Sequence, residues 1–400
     1  MSRARTSTAG PVAIVGYAHS PICRRTDTSL GALTVATALA AIADAGLTKE
    51  QIDGFTTGAL FPSSGGGALV DGVQIVTSDW LVERLRLQPR WLAGFQGVGQ
   101  IPGAMILAAN AIASGAADYV LVHRAMYNPP KRYHENPLIE ATGSHQWTAP
   151  HGLWGPPAQM ALAYNEYMQR YGATRDAMAE VVVEARRNGS RIPWSHWFGQ
   201  PLSVEDYMSS PMVADPISVL DCDIPVSGVG AFVLTSGERA KDSKHRPVYV
   251  AGYAQGRWRS SNSLDFWTLD DIYEGGAATA ARLWESAGLE PGDVDLPQVY
   301  DGFSPMVYFW LESLGYCPVG EAHRFVADGG IRTEGGLPAL SGGGALGNGR
   351  MHGVPQTLEC YLQLSGRAGE RQLTGIEVAL ACQSTPNFGG VVAYSASPPG

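Results

Sequence analysis

Short, wholly apolar runs alternate with longer alanine-rich ones in the first part of the chain. Residues 12 to 15 read as a buried strand and 30 to 45 as an alanine-rich helix closed by Gly46. Residues 101 to 113 read as a second apolar helix, and 119 to 122, beyond Gly115, as another strand. Both helices are apolar almost all round, which predicts that they lie between layers rather than on a surface. Strand, helix and strand in this rhythm predict a largely parallel sheet.

The pattern then returns. Pro11-Val12-Ala13-Ile14-Val15-Gly16-Tyr17-Ala18 reappears 236 residues later as Pro247-Val248-Tyr249-Val250-Ala251-Gly252-Tyr253-Ala254. Each copy is followed by an alanine-rich stretch that stops at Ala-Gly-Leu, Ala45-Gly46-Leu47 in one and Ala287-Gly288-Leu289 in the other. A third match sets Gly97-x-Gly99-x-x-x-Gly103 against Gly347-x-Gly349-x-x-x-Gly353. The second copy reads as a strand at 248 to 251, helices at 277 to 287 and 351 to 364, and a strand at 376 to 381. Three landmarks in order and nearly in register imply a duplication. The expected fold is α/β, with two similar halves about a pseudo-twofold axis and the chemistry where the paired glycine turns meet.

Between the halves, from about 127 to 210, lies a stretch rich in Trp, Tyr, His and Pro that includes Trp147, Trp154, Trp194 and Trp197. Its strong helical signal runs from 158 to 188. An insertion in a duplicated scaffold is a candidate substrate wall or dimer contact; the alternative is a surface excursion whose aromatics pack on themselves. It leads into Asp221-Cys222-Asp223-Ile224-Pro225-Val226-Ser227-Gly228-Val229-Gly230-Ala231, a turn feeding a buried strand.

Composition narrows the class. Over 400 residues, 45% are hydrophobic and 16% charged, against about 25% charged in ordinary domains, so an extensive core and a subunit interface are expected. A net charge of −9 argues against a general nucleic-acid or anionic-membrane surface. No run approaches the roughly 20 apolar residues of a membrane span, and the N-terminus lacks the apolar core of a signal peptide. Five cysteines, at 23, 222, 317, 360 and 382, are scattered without CxxC spacing, which predicts reduced thiols, a cytoplasmic location and no zinc site.

The duplicated halves are joined by further landmarks. They are the Ser227-Gly228-Val229-Gly230-Ala231 turn, Tyr300-Asp301-Gly302-Phe303-Ser304, Gly342-Gly343-Gly344-Ala345-Leu346-Gly347 and Asn387-Phe388-Gly389-Gly390. Together they resemble the thiolase superfamily, in its sterol-carrier and lipid-transfer branch, over nearly the whole chain. The resemblance implies a thiolase-like fold with layered sheets and buried central helices. Residues 1–126 and 211–246 would form the N-terminal half, 127–210 an inserted loop region and 247–400 the C-terminal half.

The departures from that pattern are more informative than the agreements. A thiolase carries a nucleophilic cysteine at the N-terminus of the buried helix of the first half, where the helix's positive end favours the thiolate. Here that turn is Phe95-Gln96-Gly97-Val98-Gly99-Gln100, and no cysteine occurs between Cys23 and Cys222. Where the branch has a histidine in a His-Asp-x-Phe-Ser turn, this chain has Tyr300. The place of the His-Pro-x-Gly turn is taken by the 342–349 glycine run, with no histidine before His352. Loss of all three groups resembles the steroid side-chain aldolases, thiolase-like proteins that cleave a β-hydroxyacyl-CoA by retro-aldol reaction with a small OB-fold and zinc-ribbon partner.

That resemblance implies a carbon–carbon lyase acting on a bulky β-hydroxyacyl-CoA, of the steroid 17-hydroxy side-chain type, to give a 17-ketosteroid and propionyl-CoA or acetyl-CoA. It implies no permanently bound cofactor, CoA entering only within the substrate thioester, and a homodimer core joined to the partner as a heterotetramer. Two rivals stay open: a Claisen-type acyltransferase acting without an acyl-enzyme, and a non-catalytic lipid-CoA binding or scaffold subunit.

Retro-aldol cleavage needs a base for the β-hydroxyl proton, stabilisation of a thioester enolate, and an acid to protonate it. Tyr300 is the candidate for proton transfer, with Arg350 and His352 the candidate groups that tune it, since a phenol near pKa 10 is a poor base at neutral pH. Asp301 is assigned to holding or orienting the turn. Gln96 in the first glycine turn and Gly344, Gly347 and Gly349 in the second are the candidate substrate-binding positions, their amides facing the enolate oxygen. Each has a structural alternative: a half-buried tyrosine ending a strand, a backbone-satisfied histidine, a solvated or CoA-binding arginine. Cys382 reads as a strand residue. Gly65-Gly66-Gly67 and Gly342-Gly343-Gly344 do not lead into Gly-Lys-Ser/Thr and are not phosphate loops.

Overall fold

The computed structural model describes residues 10–58, 73, 75–97, 99–127, 141, 145–153, 155–256 and 268–399. Trp154, Val98, the Gly65-Gly66-Gly67 run and most of 127–144 lie outside them. The first half runs β1 (Val12–His19), α1 (Leu30–Asp44), β2 (Gly54–Thr57), α2 (Ser78–Leu85), β3 (Trp91–Gly94), α3 (Gln100–Ala113) and β4 (Tyr119–Met126). Next come α4 (His145–Thr148), α5 (Gly155–Tyr171), α6 (Arg175–Gly189), α7 (Val204–Met208) and the small hairpin β5 (Met212–Ala214) and β6 (Ile217–Ser218). The half closes with β7 (Gly228–Ser236) and α8 (Gly237–Ala240). The second half runs β8 (Val248–Gln255), α9 (Leu269–Ala287), β9 (Leu296–Gln298), α10 (Pro305–Leu314), α11 (Ala322–Ala327), α12 (Val354–Leu364), β10 (Val378–Gln383) and β11 (Gly390–Ser395).

Nine strands form one sheet in the order β3-β2-β4-β7-β1-β8-β11-β10-β9. The duplicated strands β1 and β8 meet antiparallel at its centre, Ala13 opposite Tyr249 and Ile14 opposite Val248. The repeat extends to fine detail. Val15 is the extra residue where β1 shifts register against β7, and Ala251, its counterpart 236 residues on, is the extra residue where β8 shifts against β11. Gly16 lies so close to α1 that a Cβ would come within 2.6 Å of the Ala45 Cβ, and at Gly252 it would come within 2.6 Å of the Ala287 Cβ. The two alanine-rich helices are docked by the same glycine in each half. Gly252→Ala is therefore expected to cost about 1–3 kcal/mol, seen as a lower denaturant midpoint; an unchanged midpoint would show that α9 gives way at Ala287.

Strand alternation splits the core by sheet face. Val12 and Ile14 pack with Met105 of α3 and Leu358 of α12, whereas Ala13 and Val15 pack under α1 with Ala38 and Ile42. The expected largely parallel sheet is overturned. Among the described residues five of the eight pairings are antiparallel and three are parallel. The closing strand of each half, β7 or β11, returns against its neighbours instead of crossing over a helix. The helix that was to lie between layers does so only for α3, whose residues are almost all buried; α1 leaves Ala32, Leu39 and Ala43 exposed. Alanine tolerates either environment, so an all-alanine face does not report burial.

The helical signal at 158 to 188 resolves into two helices, α5 and α6, broken where Gly172 takes φ 71°. They are not a self-packed excursion. Met160, Tyr164, Tyr167, Met178 and Val182 share one core with Tyr308, Phe309 and Trp310 of α10. No described helix is long and apolar enough to cross a membrane.

Candidate active site

The turn after β9 carries Tyr300 and is held from two sides. The segment before β7 runs alongside it: Asp223 N–H donates to the Gly302 carbonyl at 3.1 Å, and Ser304 N–H donates to the Asp221 carbonyl at 3.0 Å. Asp221 is buried and also accepts from the Ser304 hydroxyl, the Tyr207 hydroxyl and Ser218, tying the turn to the inserted region. Tyr300 is 5% exposed, and its ring folds back on its own turn. A Cβ at Gly302 would lie 2.5 Å from Tyr300 Cε1 and 2.7 Å from its hydroxyl, so glycine at 302 is what gives the phenol its place.

Asp301 points the other way, into the glycine turn. Its Oδ1 accepts from Ala345 N–H at 2.6 Å and Gln356 Nε2 at 2.9 Å, and its Oδ2 from Leu346 N–H at 2.9 Å. Burial pushes its pKa up to about 7 against the pull of those donors. A Cβ at Gly344 would meet the Asp301 carboxylate at 2.2 Å, so the turn wraps that side chain closely. Most amides of this turn, those of Gly347 and Gly349 among them, are already committed. Gly347 N–H donates to Gly343 and Gly349 N–H to Ala345, both at 2.7 Å, so in this arrangement neither faces a substrate oxygen. The Gly347 carbonyl in turn accepts from Ser195 Oγ at 2.7 Å, and a Cβ at Gly189, ending α6, would lie 1.9 Å from that carbonyl. The inserted region thus buttresses the second glycine turn.

Residues 351 to 353, expected at the start of a helix, are unwound. Gly349 (φ 116°), His352 (φ 48°) and Gly353 (φ 91°) are all left-handed and cannot continue an α-helix, so α12 begins at Val354. The unwinding turns His352 toward Arg124 of β4 and Gln100 of α3. Arg350 N–H donates to the Ile224 carbonyl at 2.9 Å. His352 Nδ1 lies 3.0 Å from Arg124 Nη2 and 3.0 Å from Gln100 Oε1. A guanidinium only donates, so Nδ1 is the acceptor and the ring proton sits on Nε2. The Gln100 amide must then turn its nitrogen to this point, an orientation inferred from the bonding pattern. Burial first, then Arg124 and Arg350, hold His352 well below its ordinary pKa. It is a neutral imidazole and not a third cation beside Arg124 and Arg350.

Arg124 had no part in the sequence reading. It lies in β4, is 1% exposed, and among the described residues forms no ion pair with a carboxylate. Burial and the neighbouring Arg350 charge lower its pKa to about 9, while an ionised Tyr300 would raise it. Arg124 is therefore close enough to feel the charge of both Arg350 and Tyr300. The site sits at the N-terminal ends of α3 and α12, whose peptide dipoles add positive potential. Such an arrangement favours negative charge placed among these groups.

Of the candidate residues, Tyr300, Arg350 and His352 are linked through Arg124, which bonds His352 and feels the charge of the other two. Asp301 adjoins them but faces the glycine turn. Gln96 is exposed at the end of β3, while Gln100, at the first position of α3, reaches His352. Cys382 lies wholly buried within β10, and burial raises its thiol pKa. No cysteine stands at the head of α3. Arg124, Gln100 and Asp223 were missed. The available signal was an arginine inside the apolar strand sequence Val120-Leu121-Val122-His123-Arg124-Ala125-Met126, where a solvated cation is not expected.

Fold and site together define a thiolase-type scaffold without a thiolase nucleophile. A family model described as "Thiolase C-terminal domain-like" matches residues 261–396. The 17-hydroxy-3-oxo-4-pregnene-20-carboxyl-CoA lyase of Mycobacterium tuberculosis is 32% identical over 388 residues, covering 94% of this chain and 97% of the relative. The steroid side-chain-cleaving aldolase of Thermomonospora curvata is 31% identical over 367 residues, covering 89% and 91%. A solved structure described as "Ltp2-ChsH2(DUF35) aldolase" superposes with a TM-score of 0.84 at 28% identity, over 97% of this chain and 98% of that one. The chain belongs to the steroid side-chain-cleaving aldolases of the thiolase superfamily, and is a carbon–carbon lyase.

Proposed function

We propose that the chain performs retro-aldol cleavage of a β-hydroxyacyl-CoA whose hydroxyl is tertiary and carried by a steroid ring, giving a 17-ketosteroid and propionyl-CoA or acetyl-CoA. The observation that carries the reading is Tyr300 folded on Gly302 beside Arg124 and Arg350, with no thiol at the head of α3. Tyr300, acting as a phenolate, takes the β-hydroxyl proton. The carbon–oxygen bond becomes a carbonyl, the bond between the α- and β-carbons breaks, and its electron pair moves onto the thioester as an enolate. Arg124 and Arg350 stabilise that negative charge, in place of the glycine-turn amides. His352, neutral, accepts from Arg124 and fixes its direction. Gly344, Gly347 and Gly349 shape the turn, and Gln96 lies at the rim, where the CoA portion would pass.

The Mycobacterium tuberculosis relative's name supports the steroid class. The solved relative's title pairs two proteins, which supports a partner subunit; we read it as an OB-fold and zinc-ribbon protein on a homodimeric core, a heterotetramer in the cytoplasm. CoA enters only as part of the substrate, without a resident cofactor.

The test is to co-express the chain with that partner, supply a tertiary β-hydroxyacyl-CoA without free CoA, and follow products by mass spectrometry. Ketone and short acyl-CoA are expected in equal amounts. Products that form only when free CoA is added would mean thiolysis or acyl transfer, and the proposal would be wrong.

A further inference from the structure

Retro-aldol cleavage moves one proton off an oxygen and another onto the neighbouring carbon, and the groups described so far account for only the first. A second candidate stands next to Tyr300. Asp223 is 2% exposed, and its backbone N–H is bonded to the Gly302 carbonyl at 3.1 Å, on the glycine over which the Tyr300 ring folds. The next carbonyl, that of Ile224, accepts from Arg350 N–H. One carboxyl oxygen, Oδ1, is buried with no hydrogen-bond partner among the described residues. A buried carboxylate oxygen without a donor is unfavourable, and the same oxygen carrying a proton, or awaiting a ligand, is not.

We propose that Asp223 is the acid that protonates the α-carbon of the enolate, a role that rests on the retro-aldol reading. The enolate carbon takes the Asp223 proton, leaving a carboxylate beside Arg350 and a saturated short acyl-CoA. Tyr300 holds the proton taken from the hydroxyl, and one proton returns from Tyr300 to Asp223 through water before the next turnover, so the balance closes. The charged and titratable groups acting on Asp223 are Arg350, Asp301 and the adjacent Cys222. Burial opposes its ionisation most strongly, Arg350 favours it, and the Asp301 carboxylate opposes it; burial wins, and the carboxyl titrates at about 8. It therefore carries its proton at neutral pH, as a donor must.

The experiment follows deuterium uptake at the α-carbon of propionyl-CoA in D2O, using the full chain with its co-expressed partner. This half-reaction needs no β-hydroxyl. Asp223→Asn is expected to slow exchange by roughly 100-fold or more, Asp223→Glu to restore part of it, and Tyr300→Phe to retain it. Exchange begins with removal of the α-proton, which only ionised Asp223 can accept, so wild-type exchange under saturating propionyl-CoA should rise as pH increases through about 8 and level off above it, a readout independent of how the variants fold. The proposal is overturned if Asp223→Asn exchanges at the wild-type rate. It is equally overturned if Tyr300→Phe loses exchange as fully as Asp223→Asn, or if the wild-type rate does not rise as pH passes through about 8. Failure of the aldolase reading would appear separately, as a wild-type complex that exchanges the α-proton but releases no ketone from the β-hydroxyacyl-CoA.

Discussion

Tyr300→Phe is expected to leave the fold intact and to slow ketone release by roughly 100- to 10,000-fold, the usual contribution of a positioned proton-transfer group. The substitution removes one oxygen. The ring keeps its seat on Gly302, whose missing Cβ makes room for it, and the core around Phe303 and Tyr308 is untouched. What disappears is the group that can carry negative charge beside Arg124 and Arg350. Because Arg124 is buried and among the described residues pairs with no carboxylate, the loss should also leave that cation less well compensated. The effect belongs in kcat, with little change in KM, since binding of the acyl-CoA does not depend on the phenol's proton. Steady-state cleavage in the partnered complex is the measurement, and activity within tenfold of wild type would return Tyr300 to a packing role.

Asp301→Asn is expected to have the largest effect on stability near the site. The carboxylate receives three donors, Ala345 N–H, Leu346 N–H and Gln356 Nε2. An asparagine offers one oxygen and one NH2, so its nitrogen would face a backbone N–H that has no other acceptor. Leaving such a donor buried costs about 1–3 kcal/mol. The turn has little freedom to relax: Gly344 lies against the carboxylate, and Gly189 and Ala185 lie against Gly347. The denaturant midpoint should fall, and cleavage should fall with it, because Arg350 and His352 follow directly from this turn. An unchanged midpoint would show that the turn is held by Asn348 and the inserted region alone.

The placement of Asp301 shows where sequence reading reached its limit. Its neighbour Tyr300 was identified through a resemblance of turns, and a loop-holding role for Asp301 followed from electrostatics, since a carboxylate beside a phenol would hinder ionisation. Arg124 and Asp223 were invisible to that reasoning. Each is separated from Tyr300 by at least 77 residues of chain, and a pairing of strands and turns, rather than local spacing, brings them together. The glycine run at 342–349 misled in the other direction. Glycine-rich turns read as free amides aimed at a ligand, yet here the Gly347 and Gly349 amides close the turn on itself, and those of Ala345 and Leu346 bind Asp301. The split of the inserted helix at Gly172 and the unwound residues 351–353 were missed for a related reason, because left-handed residues at a helix edge interrupt a periodicity without erasing it.

By itself the sequence determined the duplication, the buried strands and helices that repeat with it, the absence of a nucleophilic cysteine and the family that follows from those facts. These are properties of order and of single positions, and hydrophobic periodicity records them directly. Only the tertiary structure decided the antiparallel meeting of β1 with β8, the commitment of the Gly347 and Gly349 amides, and the gathering of buried Arg124, Arg350, Tyr300 and Asp223 with half-buried His352. Such a cluster draws its charges from four separate segments, and the proton affinity of each group is set by burial and by neighbours that no local pattern encodes.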